Sequence, residues 1–192
     1  MRLFDEQAGQ PQRSGADWQN HREHRQPHTG PAQDEVGVLA MSSFRLARSN
    51  DVVISVRGIT AYSDGLLLSV VVLFADEQRR EDLDWSLQEY GRSPGRFRLG
   101  VVLPDGTRAT NGTRDAPQVE RPGTVAVLTL QTSSSGTLGW RGEYWLWPLP
   151  GSGSMIVGCQ WPDRAIAESL VTVDSPPLLG AAATSRPVWE DG

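Results

Sequence analysis

The stretch DVVISVRGITAYSDGLLLSVVVLFA, residues 51–75, decides the fold class of this chain. Every second residue of 52–56 is a β-branched aliphatic residue, which is the period of a half-buried β-strand. The Asp-Gly pair at 64–65 is a strong hairpin signal, and the apolar run at 66–74 is typical of a strand that is covered on both faces. The stretch therefore predicts an antiparallel β-hairpin.

Further β signals follow at short intervals. A second Asp-Gly pair at 105–106 predicts another hairpin, and apolar stretches predict strands at 124–130, 144–149 and 155–161. Ser175 followed by proline can open a short C-terminal helix. Because no long helix alternates with the strands, the sequence predicts an all-β fold, an antiparallel immunoglobulin-like β-sandwich of about 7–8 strands with a short C-terminal helix.

Residues 1–42 differ in composition from the rest of the chain. They are rich in Gln, Gly, Pro and charged residues, and such a segment buries too little apolar surface to offset the entropy cost of ordering. We therefore predict a disordered N-terminal arm over 1–42 that is dispensable for folding, followed by a single β-sandwich domain over 43–192. The alternative for residues 36–41, VGVLAM, is that they add a short strand.

The composition argues against several classes of function. The 192 residues carry a net charge of −5, so nothing indicates a basic surface for nucleic acid. All 18 cationic side chains are Arg, and without Lys the chain has neither a Walker-A phosphate loop nor a Schiff-base lysine. The N-terminal sequence lacks the apolar region of a signal peptide, and no apolar run is long enough to span a membrane. We expect a cytoplasmic protein with no nucleic-acid partner and no membrane span.

The histidines argue against catalysis and against a metal site. His21, His24 and His28 are the only three, and all lie in the predicted arm. The sandwich itself then has no imidazole to activate a Ser or Cys nucleophile. Three imidazoles at this spacing could bind a metal, but no Cys ligand accompanies them and a real site needs ordered ligands. We predict that the protein is not an enzyme and has no metal and no cofactor.

The remaining candidates for chemistry also have simpler interpretations. Cys159, the single cysteine, lies in an apolar strand, and we predict a buried thiol that resists modification. The carboxylate pairs Asp163 with Glu168 and Asp105 with Asp115 could do acid–base work. However, Asp105 and Asp163 each follow a proline in a turn, where Asp usually bonds to the backbone.

Scattered arginines could form an anion-binding patch. Arg57, Arg96, Arg98 and Arg141 fall at strand positions or next to them. Because steering of an anion requires a cluster of one sign, we interpret these arginines as a solvated surface.

Residues 144–162, YWLWPLPGSGSMIVGCQWP, combine three of the seven tryptophans with two strands and therefore divide into two faces. One face carries Trp145, Trp147, Leu149, Val157, Cys159 and Trp161. The other face carries Tyr144, Leu146, Ile156, Gly158 and Gln160. The first set is the more apolar, so we predict it as the core, with Trp147 nearest the centre. The second set is then the candidate partner-binding face, formed by Tyr144, Leu146, Ile156 and Gln160.

Three segments carry a resemblance to a known family. LARSNDVVISVRGITAYSDG, RLGVVLPDGTRATN and YWLWPLP with CQWPDRAIAES resemble an uncharacterised family of actinobacterial proteins, over residues 46–189. Relatives often carry an acid where this chain has Gln160, and a glycine run where it has TSSSG. The resemblance supports the β-sandwich and implies no activity, and the first of these departures argues against a catalytic carboxylate at residue 160.

These observations favour a non-catalytic protein-interaction or structural module of unknown pathway. One alternative is a carbohydrate- or ligand-binding module in which exposed tryptophans stack on the ligand. The third is an enzyme that uses carboxylates only. We expect a protein partner, and a homo-oligomer stays open. Exposed coplanar indoles would favour the carbohydrate module, converging carboxylates in a deep pocket would favour the enzyme, and a flat apolar patch would favour the interaction module.

Overall fold

A computed structural model describes residues 25–76, 95–111 and 125–189. These residues form antiparallel β-sheets and one α-helix, which confirms the predicted all-β fold class. Residues 1–24 of the predicted arm, and with them His21 and His24, lie outside the described residues, as does Asp115.

Twelve strands occur in the described part of the chain, more than the sequence predicts, because six of them contain only two to five residues. They are β1 (Glu35–Val36), β2 (Val38–Met41), β3 (Phe44–Arg48), β4 (Val52–Ala61), β5 (Leu66–Phe74), β6 (Arg98–Val102), β7 (Arg108–Thr110), β8 (Val127–Gly136), β9 (Gly139–Trp147), β10 (Ser154–Trp161), β11 (Ile166–Asp174) and β12 (Arg186–Pro187). The helix α1 spans Ser175–Thr184, and 3₁₀ turns occur at Pro27–Thr29 and Pro162–Arg164.

The strands form two main sheets and a small ribbon. The six-stranded sheet has the order β2-β4-β5-β9-β8, with β3 pairing to β4 beyond the end of β2. The four-stranded sheet has the order β11-β10-β6-β7, and β1 pairs with β12. Both predicted Asp-Gly hairpins are present, as β4–β5 and β6–β7. At the second turn Gly106 has φ of 86°, a conformation that favours glycine.

One hydrophobic core lies between the two main sheets. It receives Ile54 and Leu68 from the six-stranded sheet, and Leu99, Val157 and other alternate residues from the four-stranded sheet. Each fully buried aliphatic side chain contributes about 1.5–3 kcal/mol relative to exposure. Because side chains alternate along each strand, each sheet has one face on this core and one outer face.

The two faces of β9 are the reverse of the prediction. Tyr144 and Leu146 point into the core, with 1% and 0% exposure. Trp145 and Trp147 lie on the outer face of the six-stranded sheet, and Trp147 is half-buried rather than central. Trp145 is nevertheless fully buried, because the segment around Pro27 covers its ring. The indole nitrogen donates a hydrogen bond of 2.8 Å to the carbonyl of Pro27 in this segment.

The faces of β10 agree with the prediction. Val157, Cys159 and Trp161 are buried in the core, whereas Ile156 and Gln160 lie on the outer face of the four-stranded sheet. The correct side was recognisable because the outer positions of this strand carry glycine and glutamine, which are poor core residues.

The ordered chain begins well before the predicted boundary at residue 42. Residues 25–42 contain β1 and β2, so their assignment to a disordered arm is wrong, and the alternative of an added strand at 36–41 is correct. Val38 and Leu39 pair with the end of β4, and α1 packs against β2. Ala40 and Met41 pack against the core, and the polar residues before β1 are ordered because they add to surfaces that the sandwich already provides.

The predicted C-terminal helix is confirmed. Its first turn contains two prolines, which lack the amide hydrogens that a first turn leaves unpaired. Leu178 and Ala182, four residues apart, face the core and anchor the helix there.

Candidate functional site

The structure separates the four residues predicted as a partner-binding face. Tyr144 and Leu146 belong to the core between the sheets, so their assignment to an exposed face is wrong. Ile156 and Gln160 do lie at a surface, on the outer side of the four-stranded sheet. This sheet face is the candidate site.

The outer face of the four-stranded sheet carries a depression, which we call the trough. Its floor is formed by Gly100 and Gly158, and its walls include Val102, Ile156 and Leu170. The volume is about 520 Å³. The trough is therefore large enough to take side chains of a ligand.

Strand pairing explains why the sheet is depressed here. Gly100 of β6 and Gly158 of β10 are directly opposite each other, so two adjacent outward positions carry no side chain. The same cross-strand row continues to Thr110 on one side and Leu170 on the other. Leu170 leans over the gap, because a Cβ atom added at Gly158 would lie only 2.6 Å from its Cδ2 atom.

Charged residues lie around the apolar walls. Arg98 pairs in register with Gln160, and Arg108 pairs with Val102, so the two arginines lie on opposite sides of the glycine row. Glu168 lines the β11 side. The Nε atom of Arg98 is buried and has no hydrogen-bond partner. The sequence predicts Arg98 as part of a solvated surface, but its Nε atom is shielded from solvent.

Sequence reasoning placed Gly158 on the correct face of β10 but gave it no role, and it missed Gly100 and Arg108. A signal was present, because glycine weakens a strand and often marks a place where another chain or ligand approaches closely. The segments RLGVV and IVGCQ each contain a central glycine in an otherwise apolar strand. What the sequence could not supply is the register that places these two glycines side by side.

The predicted turn role of Asp105 is confirmed. The backbone N–H of Thr107 donates to its Oδ1 atom at 2.8 Å, and this hydrogen bond holds the pKa of Asp105 below its ordinary value. Asp163 is the middle residue of the 3₁₀ turn Pro162–Arg164 after β10, and its backbone N–H donates to the carbonyl of Gly95 at 2.9 Å. Within 25–76, 95–111 and 125–189, no group of three or more His, Cys, Asp or Glu side chains is placed to hold a metal ion.

The tryptophans do not form an exposed platform in the described part of the chain. Trp140, Trp145 and Trp161 are fully buried, Trp147 is half-buried, and Trp189 is 65% exposed. His28, one of the candidate metal ligands, instead makes an edge-to-face contact with Trp147, with ring centroids 6.1 Å apart.

The segment around Pro27 covers the outer face of the six-stranded sheet. The guanidinium of Arg25 donates to both carboxylate oxygens of Asp64, at 2.7 and 3.2 Å. Glu35 accepts hydrogen bonds from the backbone N–H and the hydroxyl of Ser63, at 2.7 and 2.8 Å. Tyr62 lies edge-on to the Trp145 ring beneath this cover, and burial raises its pKa, with smaller contributions from the Glu35 and Glu143 carboxylates.

Cys159 is expected to react very slowly with thiol reagents in the folded protein. The side chain is 3% exposed, and burial raises its pKa to about 12. Little reactive thiolate therefore forms at neutral pH. Colorimetric thiol labelling at pH 8, with and without denaturant, measures this, and because Cys159 is the single cysteine the denatured protein is an internal control. Equal rates in the two conditions would show that the thiol is accessible.

Comparisons with known proteins assign no family. No family model matches the chain, and the searches of curated proteins and of solved structures found no match either. The resemblance to an actinobacterial family stays a prediction. None of the helices in the described residues has the length and hydropathy needed to cross a membrane.

Proposed function

We propose that this protein is a non-catalytic interaction module that binds a protein partner through the trough. The observation that supports this most is the Gly100–Gly158 pair, which opens a depression with apolar walls in the outer face of the four-stranded sheet. Leu170 is 57% exposed at the edge of this depression, and with Val102 and Ile156 it forms an apolar patch that a partner can cover.

The shape and composition of the trough suit a protein ligand. Its walls combine aliphatic side chains with a few polar groups at the margins, an arrangement typical of interfaces that have an apolar centre and a polar rim. A single side chain inserted between Leu170 and Val102 would bury apolar surface on both partners. Such an anchor is the element that usually dominates the binding energy of an interface.

The other classes considered from the sequence have less support. Sugar binding favours exposed aromatic rings, and the aromatic side chains of the described strands are buried or half-buried. Carboxylate catalysis needs two acids in one pocket, and Glu168 is the one acidic residue among those that line the trough.

Filling the floor of the trough is expected to abolish partner binding without unfolding the protein. A Cβ atom added at Gly100 meets its nearest neighbours, Ala109 O and Thr110 Cγ2, at 3.5 Å, which is ordinary contact. Gly100→Val should therefore fold, and valine also has the higher strand propensity. Affinity purification with crosslinking from the native host, compared between the original chain and Gly100→Val, measures the loss.

The matched control is Gly136→Val, the same substitution in strand β8. A Cβ atom there has only one neighbour within 4 Å, the Gly139 carbonyl oxygen at 3.8 Å, and Gly136 does not line the trough. Proteins that are retained by the Gly136→Val variant and lost by Gly100→Val are partners of the trough. If Gly100→Val folds and retains the same proteins as the original chain, the trough is not the interface and the proposal fails.

A further inference from the structure

We infer that the trough accepts an extended acidic segment of the partner protein, with one bulky apolar side chain over the two glycines and a carboxylate against Arg98. This inference rests on the proposed function and specifies the partner's chemistry. It follows from three features of the trough: an apolar gap, an arginine with a buried unpaired donor, and the spacing between them.

The apolar gap comes first. Gly100 and Gly158 leave two adjacent positions of the sheet without side chains, while Val102, Ile156 and Leu170 stand around them. An aliphatic side chain that enters this gap removes its own surface and that of Leu170 from water. A polar side chain in the same place would gain no comparable contact, so the ligand's central residue should be apolar.

Arginine supplies the charge preference. The Nε atom of Arg98 is buried and has no hydrogen-bond partner, which is an unfavourable state for a guanidinium donor. A carboxylate is the natural acceptor, because it can take parallel hydrogen bonds from the planar guanidinium group, and the side chain must turn to present its buried Nε atom to a ligand in the trough. Arg108 adds a second positive charge to the wall formed by β6 and β7. Glu168 lies on the β11 side, so a ligand carboxylate is favoured on the β6 side, away from it.

The spacing matches an extended chain. Arg98, Gly100 and Val102 are successive outward positions of β6, and Arg108 pairs with Val102. Outward positions of a strand are about 6.6 Å apart, so the row of Arg98 and the row of Arg108 flank the glycine row at equal distances. An extended ligand that runs along β6 repeats its own side chains at the same interval. The ligand's residue i is then an acid against Arg98, and residue i+2 is the apolar side chain over the two glycines. Residue i+4 is a second acid, on the side of Arg108.

Three synthetic peptides test this preference. The first is acetyl-Gly-Glu-Ser-Leu-Ser-Glu-Gly-amide, the second replaces both Glu by Gln, and the third replaces Leu by Gly. Titration of the ¹⁵N-labelled full chain, followed by NMR, should give shift changes at Gly100 and Gly158 with the first peptide. The affinity should fall about tenfold or more with each of the other two. Absence of shifts at the trough up to about 5 mM of the first peptide, or equal affinity for the Gln peptide, overturns the inference.

A pair of arginine variants assigns the charge effect. Arg98→Gln should weaken binding of the Glu peptide about tenfold and leave binding of the Gln peptide unchanged. Arg141→Gln, at an exposed position on the other sheet, is the matched control and should alter neither affinity. If Arg98→Gln binds both peptides as the original chain does, a carboxylate against Arg98 is excluded.

The same variant separates this inference from the proposed function. When the partner is lost with Gly100→Val but kept with Arg98→Gln, the trough is the interface and the acidic chemistry is wrong. When a folded Gly100→Val also keeps the partner, the proposed function itself fails. Loss with both variants supports both statements.

Discussion

Leu146→Asp is expected to prevent folding, so that the variant is insoluble or lacks a cooperative thermal transition. Leu146 is 0% exposed and belongs to the core, and strand pairing places it between Leu66 and Leu128. Truncating a buried leucine costs about 2–5 kcal/mol, and an unpaired carboxyl group in the same place adds the cost of its desolvation. The two losses together are comparable with the whole stability of an ordinary domain, about 5–15 kcal/mol, so we expect the fold to be lost.

The matched control is Leu138→Asp. Leu138 lies in the turn between β8 and β9 and is 49% exposed, so the same chemical change meets water instead of the core. Its melting temperature should stay within a few degrees of that of the original chain, as for most surface substitutions. Circular dichroism melts of the two variants make the comparison. A cooperative transition near the original temperature for Leu146→Asp would mean that the two faces of β9 are exchanged, with Leu146 on the outer face of the sheet and Trp145 in the core.

Hydrophobic patterning could not predict the faces of β9, because both faces are buried. Tyr144 and Trp145 are neighbours in sequence and point in opposite directions, yet their exposures are 1% and 0%. Alternation identifies the core face only where the other face is solvated. In β9 the second face is covered by the segment around Pro27, a polar stretch that carries no apolar signal of its own. In β10 the outer face is open, and the prediction from the same pattern was correct.

The fold class and both Asp-Gly hairpins were predictable, because they depend on local signals: β-branched alternation and turns that glycine favours. The two-residue strands β1 and β12 were not, because they pair residues near opposite ends of the chain. The trough was equally unpredictable, because it also depends on pairing between distant residues. Gly100 and Gly158 are far apart in sequence, and only the register of β6 with β10 brings them together.

Removing residues 1–41 is expected to lower the melting temperature by more than about 10 °C, since a chain that begins at Ser42 loses several kcal/mol of contacts. It lacks β2, which pairs with β4 and supports α1, and it lacks the Arg25–Asp64 ion pair. Trp145 loses the carbonyl of Pro27 that accepts its indole N–H, and the ring becomes exposed at the sheet surface. Differential scanning calorimetry of the shortened and full chains measures the difference.

Two longer chains locate the source of this loss. A chain that begins at Arg25 keeps every contact described for residues 25–42 and should melt within a few degrees of the full chain. A chain that begins at Asp34 keeps β1 and β2 but loses Arg25 and Pro27, and it should melt between the other two. If the chain from Ser42 melts with the full chain, residues 25–41 rest on the sandwich without stabilising it. In that case the entropy cost of ordering this polar segment cancels the free energy of the hydrogen bonds that it makes, as its composition alone would suggest.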